Sequence, residues 1–525
     1  MNKKTLGKAA AGIVLVAAAV ISYRTFGWGH QRGSVHDLQL DLSAPDALIV
    51  TQSLSTLPRD LLTIPLARDV LREDLLFYYE QNEDRLGLKG SLRRIAYEHE
   101  LGWGDQLIRM VLDEPADVAV WRDVDGSLQH YAIAVSRNKL TRLLEEAGKV
   151  ALKDSQMRIA GTLNVDGGKV NVFALDYAYQ RTLLLAAHGD RLLILSHPGM
   201  LYRGKIGTDI DSTAEKTVIG LLGKDAAGRR QFHQRFLLPE QPVKGHTVAV
   251  KADVLAFGYQ PFFSALQALR FDFSKGAWRS QALIDGGKLG KGGYDSRALW
   301  AALPLNPSAC FTVPVDWAAA QPVLQALGAD GADALAGQMQ GPAAACWYAS
   351  SRLHTPVFVA TRANAPDALF GSLFTAAVGG NQQVGKPVTQ GGALRWQQPV
   401  DTALGAAAPT LAVSGNLVVY SPDPKLVDQV LAVKRKQAAA TADRLPDAAR
   451  TVGVIAPASL AQLIQRETFN TLPAKQEPVL RGAADEHLVP RLNALKKYPP
   501  YRLVLKALPK SGTAWEPLEW QVIGH

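Results

Sequence analysis

Tyr131-Ala132-Ile133-Ala134-Val135-Ser136-Arg137 is answered 225 residues later by Pro356-Val357-Phe358-Val359-Ala360-Thr361-Arg362. Both stretches are rich in strand-forming apolar residues, and both close on a hydroxyl residue and an arginine. The neighbouring sequence repeats in the same order. Leu185-Ala186-Ala187-His188-Gly189 returns as Leu411-Ala412-Val413-Ser414-Gly415, and Ser196-His197-Pro198 as Ser421-Pro422. His246-Thr247-Val248-Ala249-Val250 returns as Arg450-Thr451-Val452-Gly453-Val454, and Gly276-Ala277-Trp278 as Gly512-Thr513-Ala514-Trp515. Echoes that keep their order imply a duplication, with two similar domains in one chain. They speak to architecture and name no reaction.

The length agrees: 525 residues exceed one ordinary domain and accommodate two. With 47% hydrophobic and 20% charged residues, the composition is globular. The net charge is +9, but Lys and Arg are scattered and seldom interleave with aromatics, so nucleic acid is not an implied partner.

The first residues are more telling. Lys3, Lys4 and Lys8 precede an uncharged run from Ala9 to Tyr23, closed by Arg24. A basic, then apolar, then exposed pattern directs export with the N-terminus left inside. Residues 6–23 reach spanning length with help from the Lys8 stem. The sequence thus predicts an uncleaved anchor within residues 1–30 in the inner membrane, single-pass, with the bulk of the chain periplasmic. A cleavable signal ending near Ala17-Ala18-Ala19 is the alternative. The two cysteines, Cys310 and Cys346, either pair in that oxidising compartment or stand as two buried thiols.

Each half reads as strands interleaved with short amphipathic helices. In the first, Ala47–Gln52 is a strand and Leu61–Leu71 a helix. Val118–Arg122 and Tyr131–Ser136 flank a tight turn at Asp125-Gly126. Asn138 caps a helix carrying Leu140, Leu143, Leu144 and Ala147. Leu183–Ala187 and Leu192–Leu195 turn at Gly189-Asp190, Thr247–Ala252 is a strand, and a helix lies near Pro261–Leu269. The second half repeats this order, with helices at Ala318–Leu327, Asp367–Val378 and Pro424–Lys434. Hairpins make neighbouring strands antiparallel. The expected fold is therefore α+β, two duplicated domains of antiparallel sheet with helices layered on one side. The domains run over 37–285 and 307–525, joined by a Gly-rich linker at 286–306.

The repeat offset changes along the chain. Pro45 aligns with Pro307, an offset of 262, but Arg137 aligns with Arg362, an offset of 225. The first half therefore holds 37 extra residues between its first two strands, within 72–113. That insertion is dense in charge and aromatics. Leu86, Leu88, Leu92, Ile95 and Ala96 approach a helical stripe. It reads either as a helical cover for a sheet edge or as a binding surface. In the second case Tyr78, Tyr79, Arg93, Arg94 and Tyr97 form the partner-binding set, since Tyr and Arg dominate interface hot spots.

Catalytic patterns are weaker. Ser136-Arg137-Asn138-Lys139, Ser414-Gly415-Asn416 and Lys510-Ser511-Gly512 imitate the three motifs of serine acylases. The repeat explains the last two more simply, as turns matching His188-Gly189-Asp190 and Ser274-Lys275-Gly276. Glu98-His99-Glu100 has the residue types for acid–base work, although alternating charge on an exposed helix produces the same string. No metal-binding or phosphate-cradling motif occurs, and the sequence calls for no cofactor.

The run from Phe77-Tyr78-Tyr79-Glu80 through Arg93-Arg94-Ile95-Ala96-Tyr97-Glu98-His99, together with Leu54-Ser55-Thr56-Leu57-Pro58-Arg59-Asp60, resembles an uncharacterised proteobacterial family of unknown function. Its members cover nearly this whole length. The resemblance implies genes lying beside those of bacterial alpha-2-macroglobulins, which are periplasmic protease traps, and it transfers no catalytic residue. The sequence reading is a membrane-anchored periplasmic binding or scaffold protein, not an enzyme. The alternative is a periplasmic serine hydrolase acting on peptide or cell-wall substrate.

Overall fold

Ala47–Thr51 (β1) is paired along its whole length on both sides, to Ala116–Arg122 (β2) and to His246–Lys251 (β8), antiparallel in each case. Its sequence, ALIVT, accounts for this: a short apolar run with β-branched residues suits a strand buried on both faces. The computed structural model describes residues 38, 40–65, 67–69, 113–123, 126, 128–136, 155–178, 181–204, 206–239, 244–255, 263–289, 294–318, 321–326, 336–363, 367–378, 385–402, 405–470 and 477–524. They divide into two compact units. One holds the described residues of Ile13–Leu255 and Ala268–Trp278, the other those of Ala256–Gln267 and Arg279–His525.

In the first unit the remaining strands are Leu128–Ser136 (β3), Met157–Val165 (β4), Gly168–Ala178 (β5), Arg181–His188 (β6), Arg191–Leu195 (β7) and Leu266–Ser274 (β9). Their order across the sheet is β4-β5-β6-β7-β3-β2-β1-β8-β9, antiparallel throughout. The helices that accompany it include Leu57–Leu62 (α1) and Ser212–Leu222 (α2). Asp211 caps α2, its carboxylate accepting from the Thr213 and Ala214 amides, and Ala214, Val218, Leu221 and Leu222 form the buried stripe. That stripe packs on β4, β6 and β7.

The second unit contains Ala277–Asp285 (β10), Ala309–Val313 (β11), Met339–Trp347 (β12), Val357–Arg362 (β13), Val388–Gln390 (β14) and Ala393–Gln397 (β15). A small separate ribbon, Val400–Thr402 (β16) with Gly405–Ala407 (β17), follows. Then come Thr410–Ser414 (β18), Leu417–Ser421 (β19), Thr451–Ile455 (β20), Tyr501–Leu505 (β21) and Thr513–Val522 (β22). The sheet order is β14-β15-β18-β19-β13-β12-β11-β20-β21-β22-β10. Its connections follow those of the first sheet strand for strand from β14 to β21.

The α+β class and the antiparallel pairing stand. Helices do not keep to one side, however. In the second unit Asp367–Val378 (α3) brings Phe370 and Phe374 onto Trp396, Leu411, Val413 and Val418. Pro424–Lys434 (α4) packs Leu426, Val427, Val430 and Leu431 with Ala412, Leu417 and Val419. Leu411 and Ala412 are adjacent on one strand and point to opposite faces, so both faces are covered. Consistent with this, Thr410–Val413 is buried at every position rather than alternating. Each fully buried aliphatic side chain there contributes about 1.5–3 kcal/mol.

Other expectations are corrected too. The helix placed near Pro261–Leu269 gives way at its end to β9, which begins at Leu266 and pairs with β8. The hairpin β4–β5 was missed, although Asp166-Gly167, both with positive φ, is a strong turn signal. Also missed was the helix Pro457–Asn470 (α5). β10 pairs with β22, and Gly286–Lys288 forms a short helical turn. The anchor at residues 6–23, the helix after Asn138 and nearly all of the insertion 72–113 lie outside the described residues. Among the described residues, no helix is long and apolar enough to cross a membrane.

β4 is an edge strand, and its edge is occupied. The Tyr202 hydroxyl donates to the Ala160 carbonyl at 3.2 Å, beside a bulge between Ile159 and Gly161. Gly207 (φ +92°) follows, and a Cβ there would stand 2.5 Å from Ala160 O. Gly207→Ala should therefore destabilise the first unit by about 2–3 kcal/mol, from positive φ and the clash together. The check is the urea midpoint of the variant; an unchanged midpoint would show that the 202–210 loop is not seated on β4.

Candidate functional site

The partner-binding set Tyr78, Tyr79, Arg93, Arg94 and Tyr97 lies outside the described residues, as do Glu98, His99, Glu100 and Lys139. The stems of the insertion are described. Ser55 Oγ donates to a carboxylate oxygen of Asp113, joining the approach to the insertion with its last residue. Ser53 Oγ lies 2.9 Å from Ser55 Oγ. Ser136 ends β3, its amide donating to Pro115 O. Ser414 ends β18, and Asn416 accepts from Lys434 Nζ at 3.2 Å in the following turn. Ser136 belongs to one compact unit, and Ser414 and Lys510 to the other. Cys310 and Cys346 stand directly opposite each other on β11 and β12, Cα to Cα 4.0 Å, and their sulfurs are bonded.

Among the described residues of the first unit, several histidines stand against aspartates. Thr51 and His246 are opposite residues of β1 and β8. Thr51 Oγ1 lies 2.7 Å from His246 Nδ1, and His246 Nε2 lies 3.2 Å from Asp60 Oδ2 on α1. The line of hydroxyl, imidazole and carboxylate has the composition of an acyl-transfer relay. It lacks access, since Thr51 is 2% and His246 1% exposed. Thr51 Oγ1 is further engaged by the carbonyl of Ser53 at 2.8 Å and its amide at 3.1 Å. With the Phe273 ring 5.0 Å from the imidazole, the group acts as a strut holding α1 to the sheet.

Three more pairs follow the same plan. His233 Nε2 meets Asp117 at 2.9 Å, His188 Nε2 meets Asp166 at 3.2 Å, and His130 Nε2 lies 3.7 Å from Asp123. His197 differs. Its Nδ1 accepts the Gly199 amide at 3.0 Å, so its proton sits on Nε2. The ring packs edge-on against His130, centroids 5.7 Å apart. Burial, and secondarily His130, lowers its pKa from the usual 6.5 to about 4, against a smaller opposing effect of Asp123. Among the described residues, no three potential ligands converge to hold a metal ion.

A family model described as "Uncharacterized protein conserved in bacteria (DUF2138)" matches residues 5–520. The chain belongs to this family. It is similar to the "Uncharacterized protein YfaA" of Escherichia coli (strain K12), 33% identical over 554 residues that cover 97% of this chain and 96% of that protein. No solved structure matches.

In this DUF2138 member the histidine–aspartate pairs escaped the sequence reading because their partners are far apart in the chain; Asp60 and His246 are 186 residues apart. The available signal was local: Thr51 and His246 are polar residues at the ends of otherwise apolar strands. His197 yields a pH prediction. Its folded pKa lies below the unfolded value, so its stabilising effect is whole above pH 6.5 and is lost as pH falls toward 4. The loss is on the order of 2–3 kcal/mol. His197→Asn keeps an acceptor for the Gly199 amide without a titrating group. Its stability at neutral pH should be close to the parent's, and its urea midpoint should fall less between pH 7 and pH 4.5. Parallel curves for the two proteins would count against the assignment.

Proposed function

We propose that the chain is an exported envelope protein, held in the inner membrane by residues 6–23, whose periplasmic body binds or scaffolds another protein and carries out no reaction. The observation that carries export is the Cys310–Cys346 bond, since such bonds persist in oxidising compartments. The basic-then-apolar order of Lys3, Lys4, Lys8 and Ala9–Tyr23 supports the same topology. We read the body as a duplication. The shared strand order of the two sheets supports this, as does the equivalent placement of α2 and α4, each capped by an aspartate after a hairpin.

A binding role is supported by the form of the polar centres. Thr51, His246 and Asp60 are closed on one another under cover, the arrangement of structural struts. The insertion 72–113 gives the first unit a segment its counterpart lacks, and inserted segments are where recognition is commonly added. A bacterial alpha-2-macroglobulin, or a protein associated with one, is the partner to test.

A phosphatase reporter that is active only outside the cytoplasm, fused after residue 36, should be active, and deleting residues 6–23 should lower its activity by about tenfold or more. Equal activity with and without the segment would refute the anchor. For the partner, Tyr78→Ala, Arg94→Ala and Tyr97→Ala together should leave the thermal midpoint near that of the parent. The same variant should reduce several-fold the envelope protein recovered with the chain from solubilised membranes. A variant that unfolds, or that recovers its partner undiminished, would mark the segment as structural.

A further inference from the structure

Cys310 and Cys346 are opposite residues in the middle of the second sheet, neither with exposed surface, inside the core that also contains Val357, Val359, Ala412 and Val419. The corresponding pairing of the first sheet, β1 against β2, sets Leu48 opposite Ala119, also fully buried. One unit closes its central strand pair with apolar contact and the other with a covalent bond. The strands differ in a way that makes the bond matter. β2 reads ADVAVWR, rich in strand formers. β12 reads MQGPAAACW, with Gly341, Pro342 and three alanines, and its pairing to β13 slips between Gln340 and Ala344.

We propose that oxidation of Cys310 and Cys346 gates folding of the second unit alone, while the first folds whatever the redox state. In the gating step the two thiols give up two protons and two electrons to a disulfide-carrying exchange catalyst. One sulfur–sulfur bond forms in the chain, and the oxidant's own disulfide is reduced to two thiols. Exchange must precede packing, because both sulfurs are out of reach of an oxidant or reductant once β11 and β12 are covered. The place where this happens in the cell rests on the export proposed above. The coupling of bond to fold does not, and can be measured on the purified chain.

The full-length chain, in detergent, is unfolded in urea with a reductant and refolded either with oxidised glutathione or with the reductant kept present. Hydrogen exchange is then read strand by strand. β1, β2 and β8 should regain equal protection in both conditions. β11, β12 and β20 should exchange on the order of a hundredfold faster in the reduced chain, as expected for losing a cross-link over a 36-residue separation. Cys310→Leu with Cys346→Ala, which installs the first unit's own pair, should make the second unit's protection independent of redox conditions. Equal protection of β11 and β12 in oxidised and reduced parent chain would overturn the proposal, as would parallel loss in both units. So would thiols that stay free after refolding with oxidised glutathione. The parent comparison decides even where the double variant does not fold.

Discussion

The first unit depends on the register of β1. Each of its five residues has a partner on both sides, so a one-residue slip would turn Leu48 and Val50 to the opposite face and break two ladders together. Polar contacts at both ends hold that register. At the entry, Asp46 accepts from the Arg122 amide at 2.9 Å and its guanidinium at 3.1 Å, while Arg122 also reaches Asp253 at 2.7 Å. At the exit stand Thr51, His246 and Asp60. The strand between is apolar and would slide at little cost on hydrophobicity alone. Directional hydrogen bonds at its ends fix which residue faces which, and leaving a buried group such as Asp46, Thr51 or His246 unpaired costs about 1–3 kcal/mol.

The second unit meets the same constraint with neutral groups. Near the end of β11 the Thr312 carbonyl accepts from the Tyr294 hydroxyl at 3.1 Å. Next to it the Thr451 carbonyl gathers Ser296 Oγ at 2.9 Å and Trp300 Nε1 at 2.8 Å. Tyr294 is held far above its ordinary pKa by burial, so this cluster stays uncharged over the physiological range. Histidine and carboxylate in one unit, hydroxyl and indole in the other, perform one mechanical task.

Much of the architecture was legible in the sequence. The turns at Gly189-Asp190 and Gly415-Asn416 gave both central hairpins, and the periodicity of Asp367–Val378 and Pro424–Lys434 gave two helices at the bounds observed. Misreadings occurred where local pattern and tertiary setting diverge. Leu266–Leu269 has helical spacing but is drawn into a ladder by β8. Pro457–Asn470 has low mean hydropathy, and its buried set includes the carboxylate of Glu467. The candidate site was less legible, since hydrogen bonds such as His246 to Asp60 join residues that only the fold makes neighbours. Nothing in the spacing of single aspartates and histidines reports on that.

The rows of side chains running across the two sheets fill equivalent ladder positions with different residues. In the first, Ile49, Val118, Ile133, Ile194, Leu185 and Phe173 succeed one another in register; in the second, Phe311, Ala345, Phe358, Tyr420, Leu411 and Trp396 do so. The backbone ladder is the same, while side-chain volume is redistributed along it. Phe311 is accommodated because its neighbour across β20 is Gly453, where a Cβ would come within 3.0 Å of the ring. Phe358, 41% exposed, leans on Tyr420 at 6.2 Å instead of packing beneath a helix. Core positions tolerate such exchange as long as volume is compensated nearby. Turns do not, because positive φ at Gly189 and Gly415 admits few residues. The likeness between the two sheets is consequently one of strand order and turns, while the side chains in the middles of the strands differ in volume.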